Sequence, residues 1–556
     1  MKLGKPMFEC FRVLALALAA LLIPAAAMAD APGPTVQTHD GPVVGAALPD
    51  GLTVFKGIPY AAPPTGPLRW TPPAPPAPWT APRPATAFAP ACDQPTGPTV
   101  IDAPRRMSED CLYLNVWSPP HASNTPGGGA PVMVWIHGGA FTNGDAASPL
   151  YDGAQLARAG VVVVSMGYRL GILGYLAHPE LSAESPRHVS GNYGMLDQIA
   201  ALRWVKANIA AFGGDPANVT IFGQSSGGLS VVDLVASPEA RGLFAKAIAE
   251  SAYTVSTPAL NTVQFGQPSA EAFGIAIQKA VGAPNLAALR KINGEDLTNL
   301  AAAAHYPPLP TVDGWLLPAQ TVEIFDRGQQ APVPLLVGFT SGELRSLRFL
   351  LPPIPVTAAE YERQVRAKYA DLADAYLRLY PSSNIPESVL AASRDGLYGW
   401  TAVRLATKQT ALGQPAFLYY FDHSYPGEQG HVAAAFHASE IPYVFGEVGT
   451  NTRLPTYWPP PPTTAGEVAL SRAMVDYWTS FARTGVPASA TAPVWKPFGD
   501  GGAFMDFADK AIASTDLLPG MYSLTEEVIT RRRRLGTQYW FANIGLASPP
   551  VPPAGN

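Results

Sequence analysis

Along this chain, short apolar runs rich in β-branched residues alternate with longer stretches whose apolar residues recur at helical spacing. Val132–Ile136, Val161–Ser165, Val219–Phe222, Pro334–Gly338 and Ala416–Phe421 belong to the first kind, each with turn residues nearby. Runs so short and so continuously apolar predict buried strands. Between them, Met195–Phe212, Gly228–Ala236 and Ala358–Tyr369 read as helices. Strands alternating with helices predict an α/β fold, a large and mostly parallel central sheet flanked by helices on both faces. No internal repeat recurs at a fixed period.

Proline-rich segments at 63–84, 307–310, 352–355 and 459–462 interrupt the pattern without ending it, because strand-like runs continue on both sides of each. They read as rigid surface loops rather than linkers. One catalytic domain is therefore expected from 30 to 545. Residues 546–556, rich in proline and alanine, are expected to form a disordered tail.

The first residues follow a different rule. Lys2, Lys5 and Arg12 precede an apolar run from Val13 to Ile23, and Ala27-Met28-Ala29 follows it. A basic head, a short apolar middle and a small-x-small end describe a cleavable export signal over 1–29. The alternative is a membrane anchor, but a spanning helix needs about 20 apolar residues. No later stretch is apolar enough to span, so stable membrane insertion is not expected. The mature protein is expected in the periplasm or the extracellular medium.

Hydrophobic residues make up 47% of the chain and charged residues 14%, which supports a large core and excludes a disordered chain. Removing residues 1–29 takes away three basic groups and one acidic group, moving the formal charge from −5 to −7. That balance argues against a nucleic-acid partner. The run Arg531–Arg534 is the local exception and reads as a solvated helix face. Of three cysteines, Cys10 leaves with the signal, and Cys92 and Cys111 remain as an even pair. In an exported protein they are expected to form a disulfide, which would contribute roughly 3 kcal/mol through the loop it closes.

One run carries the chemistry. The strand Val219-Thr220-Ile221-Phe222 leads into Gly223-Gln224-Ser225-Ser226-Gly227-Gly228, and a helix follows. This G-x-S-x-G pattern between strand and helix describes a sharp turn that exposes a serine hydroxyl at the end of a sheet, with Ser225 as nucleophile. The helix that follows points its positive end at developing negative charge. The run Val132–Ile136 ends in His137-Gly138-Gly139-Ala140-Phe141. Such a turn can aim backbone N–H groups at one point, so Gly139 and Ala140, joined by Ser226, are the candidate oxyanion hole. His137 reads as a residue that shapes this turn rather than as the base.

Together these residues resemble the type-B carboxylesterase/lipase family, which includes bacterial carboxylesterases and the cholinesterases. The stretch from Phe212 to Gly227 is similar to that family's serine-site signature, and Glu109-Asp110-Cys111-Leu112-Tyr113-Leu114-Asn115-Val116 to its second signature. Phe55–Tyr60, Asn192-Tyr193-Gly194 and Phe436–Tyr443 extend the likeness, which runs from about residue 34 to 485. The resemblance implies an α/β-hydrolase fold and an acyl-enzyme mechanism. It also implies that Glu343 is the acid and His437 the base, in the order Ser, Glu, His. Asp326 is the reserve acid, and His431 fits the base position less well. Three departures stand out: Gly342 where the family has Asp, Leu344 where it has Gly, and Gln224 where many members have Glu. The likeness further implies an Arg69–Glu109 ion pair that braces the Cys92–Cys111 loop.

Cholinesterases hold a quaternary ammonium on a tryptophan in that loop, whereas residues 93–110 here contain no Trp, Tyr or Phe. Choline esters are thus not expected as preferred substrates, and the absence of a long apolar lid favours small, soluble esters. Two other readings stay open. One is a hydrolase of amide, thioester or polyester bonds using the same triad, and the other a non-catalytic binding homologue. No metal, nucleotide or flavin signature accompanies the triad, so no cofactor is expected. The sequence assigns no oligomeric state.

Overall fold

A computed structural model describes residues 33–97, 106–120, 128–254, 256–424, 434–452, 454–455, 458–540 and 545–554. The expected export signal over 1–29 and His431 lie outside the described residues. The apolar runs assemble into one sheet of eleven strands. In chain order these are β1 (Ala46–Ala47), β2 (Thr53–Pro59), β3 (Tyr113–Ser118), β4 (Ala130–Ile136), β5 (Val162–Met166) and β6 (Gly214–Gln224). They continue with β7 (Lys246–Glu250), β8 (Leu335–Thr340), β9 (Ala416–Phe421), β10 (Ala503–Phe507) and β11 (Ala511–Thr515). Their spatial order is β11-β10-β9-β8-β7-β6-β4-β5-β3-β2-β1. From β5 through β10 every pairing is parallel, and antiparallel pairs finish both edges.

The parallel strands are buried on both faces, which explains why they read as unbroken apolar runs. Along β4, Val132, Val134 and Ile136 enter one core cluster while Met133 and Trp135 enter another on the opposite face. Helix α1 (Ser226–Ala236) covers the first face through Leu229, Val231 and Val235. Helix α2 (Ala465–Thr484) covers the second through Met474, Trp478 and Phe481. Strands β7 and β10 carry no readable apolar run, because Lys246 and Glu250 bound the first and Asp506 interrupts the second. Parallel neighbours pull them into the sheet regardless.

The order also sets where chemistry can occur. β4 lies between β5 and β6, so the chain leaves its carboxyl end to one side and later returns to the other. A reversal of this kind opens a crevice at the carboxyl ends of the two strands. The His137–Phe141 turn leaves β4 there, and Ser225 directly follows β6.

Two expectations need correction at the C-terminus. The tail expected to be disordered packs instead: Leu546 and Val551 are buried in a cluster with Tyr369 and Tyr376. Val551 N–H donates to Lys368 O at 2.7 Å, and Lys368 Nζ donates to Ser548 O at 2.9 Å. Two well-spaced apolar residues suffice to dock a segment whose carbonyls find donors. The arginine run is not a solvated face either, since Arg531 and Arg532 are buried and Arg534 alone is exposed. Arg531 pairs with Asp371 and Glu527, and Arg532 donates to Pro549 O, so these cations hold the tail.

Candidate active site

Ser225 sits at φ 60° and ψ −125°, a left-handed conformation that non-glycine residues rarely adopt, as the first residue ahead of α1. Its flanking glycines are required by contact. A Cβ on Gly227 would stand 2.0 Å from Ile136 O, and one on Gly223 2.6 Å from the same oxygen. The serine turn is thus pressed against the end of β4, leaving room for backbone alone. Ser225 N–H donates to Glu250 O at 2.9 Å, which ties the turn to β7 as well.

The glycine-rich turn after β4 packs against the same residue. A Cβ on Gly138 would lie 3.1 Å from Ser225 Cβ, and Phe141 N–H donates to Ser226 Oγ at 3.2 Å. Gly139 at φ 114°, Ala140 at 56° and Phe141 at 58° form a left-handed run. The N–H groups of Gly139 and Ala140 make no hydrogen bond among the described residues. Ser226 N–H, in the first turn of α1, has no acceptor within its own helix. His137 lies beneath this turn, stacked on Tyr168 with ring centroids 4.5 Å apart. Burial pushes its imidazole down to about 4, so it stays neutral near neutral pH and shapes the loop.

Glu343 and His437 come from loops far apart in sequence and meet directly, His437 Nδ1 against Glu343 Oε2. Glu343 is fully buried, and its Oε1 accepts Thr340 N–H at 2.9 Å. The departures from the family pattern have a local cause. Gly342 N–H donates to Ala435 O at 3.0 Å, and a Cβ there would stand 2.4 Å from Ala434 O. The acid loop therefore lies flush against the histidine loop, where an aspartate would not fit. Leu344, where the family has glycine, is buried in the core.

With Nδ1–H given to Glu343, Nε2 is the accepting nitrogen of His437. It lies 3.3 Å from the side-chain nitrogen of Gln224, so the amide contacts the nitrogen that a proton transfer from Ser225 would need. Among the hydrogen bonds of the described residues none joins Ser225 Oγ to His437. Asp326 is not brought here: it pairs with Arg404, Lys408 and Arg533.

Two buried carboxyls lie behind the site, Glu250 and Glu440. Burial pushes Glu250 up to about 8, although Trp478 Nε1 donates to it at 2.7 Å. Burial together with the charges of Glu343 and Glu250 pushes Glu440 well above the usual carboxylate range. Burial thus disfavours the charged form of both, and Glu343 is the acid side chain that touches the imidazole. Glu440 stands in the Phe436–Tyr443 motif; Glu250 had no signal beyond its place three residues after Ala247 in an otherwise apolar run.

The predicted Cys92–Cys111 disulfide is present. Arg69 meets Glu109 in a two-pronged ion pair, and its Nη1 also donates to Ile292 O at 2.7 Å. Among the described residues no group of three His, Cys, Asp or Glu side chains is arranged to hold a metal ion, and no helix is long and apolar enough to cross a membrane.

A serine at a strained strand-to-helix turn, at the end of a strand in a mostly parallel sheet, defines the α/β-hydrolase fold. Residues 32–515 match the carboxylesterase family, and the chain belongs to it. It is similar to fumonisin B1 esterase of Sphingopyxis macrogoltabida, 37% identical over 89% of this chain and 90% of that protein. Para-nitrobenzyl esterase of Bacillus subtilis (strain 168) is also 37% identical, over 83% of this chain and 92% of its own. A solved PNB esterase structure superposes with a TM-score of 0.74 at 33% identity, covering 88% of this chain and 99% of that one. The protein is a carboxylic ester hydrolase.

Proposed function

We propose that this esterase works through an acyl-enzyme on Ser225, with His437 as general base and acid and Glu343 orienting it. The observation that carries this reading is the contact of His437 with Glu343 beside the strained serine turn. Ser225 Oγ attacks the ester carbonyl carbon while its proton passes to His437 Nε2. The carbonyl oxygen becomes negative within reach of the N–H groups of Gly139, Ala140 and Ser226, which stabilise it more than they do the neutral substrate. The alcohol leaves with the proton from Nε2. Water then repeats the sequence, and the carboxylic acid departs.

Small, soluble esters of short or medium acyl chain are the proposed substrates. Residues 1–29 are proposed to direct export and be removed, which the mass of the mature protein recovered outside the cytoplasm would check. The central experiment expresses residues 30–556 and follows p-nitrophenyl esters from acetate to palmitate, with Ser225→Ala and His437→Ala in parallel. Turnover on the shorter chains, falling by at least about 1,000-fold in each variant, is expected. Turnover that survives Ser225→Ala would refute the mechanism.

A further inference from the structure

The chain from Ile385 to Ala411 is helical throughout, yet it is not one α-helix. Two α-helical segments, Ile385–Arg394 and Trp400–Ala411, are joined by a π-helical turn, Asp395–Gly399. It is the one π-helical stretch among the described residues. An inserted residue rotates everything after it by about 100° relative to what precedes it, and such turns concentrate at functional sites. Here the extra residue lets the two halves grip different parts of the active site. Before the turn, Arg394 Nη1 donates to Ser341 O at 3.0 Å, two residues from Glu343. After it, Thr401 Oγ1 accepts Thr254 N–H at 3.0 Å, in the loop that follows β7.

The turn itself presents Tyr398. Its ring lies against the His437 imidazole, centroids 5.4 Å apart and planes at 43°, and against Tyr253 at 5.9 Å. The side chain is 2% exposed and belongs to the main core, so the ring is wedged. Gly399 lets the turn approach β8: a Cβ there would stand 3.3 Å from Phe339 Cζ. Burial and the charge of Glu343 push the Tyr398 phenol well above its ordinary range, so it remains neutral beside the imidazole.

Glu343 meets one edge of the His437 ring and the Gln224 amide lies 3.3 Å from the other, but neither contact bears on the ring's face. We infer that Tyr398, set in place by the π-helical turn, is a positioning residue that limits the swing of the ring and keeps His437 Nε2 within reach of Ser225. The inference rests on the triad proposed above. A displacement of about 1 Å at a proton-transfer group reduces turnover by about 100-fold. Binding of substrate does not depend on where Nε2 points, so the effect belongs in kcat.

The test uses Tyr398→Leu, which keeps an apolar side chain and loses the flat ring, beside Tyr398→Phe, which keeps the ring and loses the hydroxyl. Both are assayed with p-nitrophenyl butyrate, with Tm confirming the fold. Tyr398→Leu is expected to lower kcat about 10- to 100-fold with KM within about 3-fold of wild type, and Tyr398→Phe to restore kcat. If the leucine variant does not fold, Tyr398→Met, whose flexible side chain fills irregular gaps, is expected to show the same loss. Unchanged kcat without the ring, a change confined to KM, or a phenylalanine variant as slow as leucine would each overturn the inference. Turnover that survives His437→Ala overturns the triad and this inference with it. Dependence on His437 alongside a silent Tyr398→Leu overturns this inference alone.

Discussion

The two halves of the proposed active site are built by different means. The serine half is backbone against backbone. Residues 137–141 and 223–227 are two short turns pressed together, with Gly138, Gly223 and Gly227 at the contacts. The histidine half is side chain against side chain: Glu343, His437, Gln224 and Tyr398 arrive from four separate elements. Backbone contacts leave no slack, because there is nothing smaller than hydrogen to substitute. Side-chain contacts can be adjusted one at a time. The first half should therefore fail abruptly when altered, and the second should respond in degrees.

The harshest challenge to that contrast is Gly227→Ala. Its methyl group would arrive 2.0 Å from Ile136 O, a backbone atom that cannot step aside. The variant is expected to lose about 3 kcal/mol or more of stability and at least about 100-fold in turnover, read by denaturant unfolding and the p-nitrophenyl assay. A variant with normal Tm and activity would show that the serine half does have slack.

Glu250→Gln probes the charge behind the histidine half. The native carboxyl protonates at about 8 and the unfolded one near 4.5, so between these values the folded protein holds a proton that the unfolded chain has lost. Stability from this group therefore falls as pH rises through that window, by a few kcal/mol in total. The glutamine variant can still accept from Trp478 and is expected to flatten this decline, so its Tm advantage over wild type should grow from pH 5 to pH 8. An advantage independent of pH would mean that Glu250 is ionised in the folded protein.

The smallest effect is expected from Gln224→Ala. In the proposed mechanism the amide competes with the Ser225 hydroxyl for His437 Nε2, and a typical hydrogen bond contributes a net 0.5–1.5 kcal/mol, so removing it should raise kcat/KM by about 2- to 10-fold. A fall instead would show that the amide helps to hold the ring.

Much of this was legible from sequence, for local reasons. Short apolar runs identify strands buried on both faces, and the five expected ones lie in the parallel sheet with ends shifted by a few residues. The serine turn and the candidate oxyanion turn are each contiguous in sequence, and their glycines record contacts that no side chain could share. The glutamate and histidine were assignable by resemblance alone, since no short-range pattern relates residues 343 and 437. Strand β7 was illegible because Lys246 and Glu250 hide its apolar centre, and the docked tail because its partners, Tyr369 and Arg532, are remote in sequence.

Sequence alone thus determined the elements whose constraints are local: five of the parallel-sheet strands, the sharp serine turn and the glycine-rich turn beside it. Tertiary structure alone decided which nitrogen of His437 meets Glu343, that Gln224 contacts the other, and that burial pushes Glu250 and Glu440 above the usual carboxylate range. It also decided that a single π-helical turn delivers Tyr398 to the imidazole. These depend on distances between elements that the chain joins through long connections, and on the removal of water from charges, neither of which is written in any local run of residues.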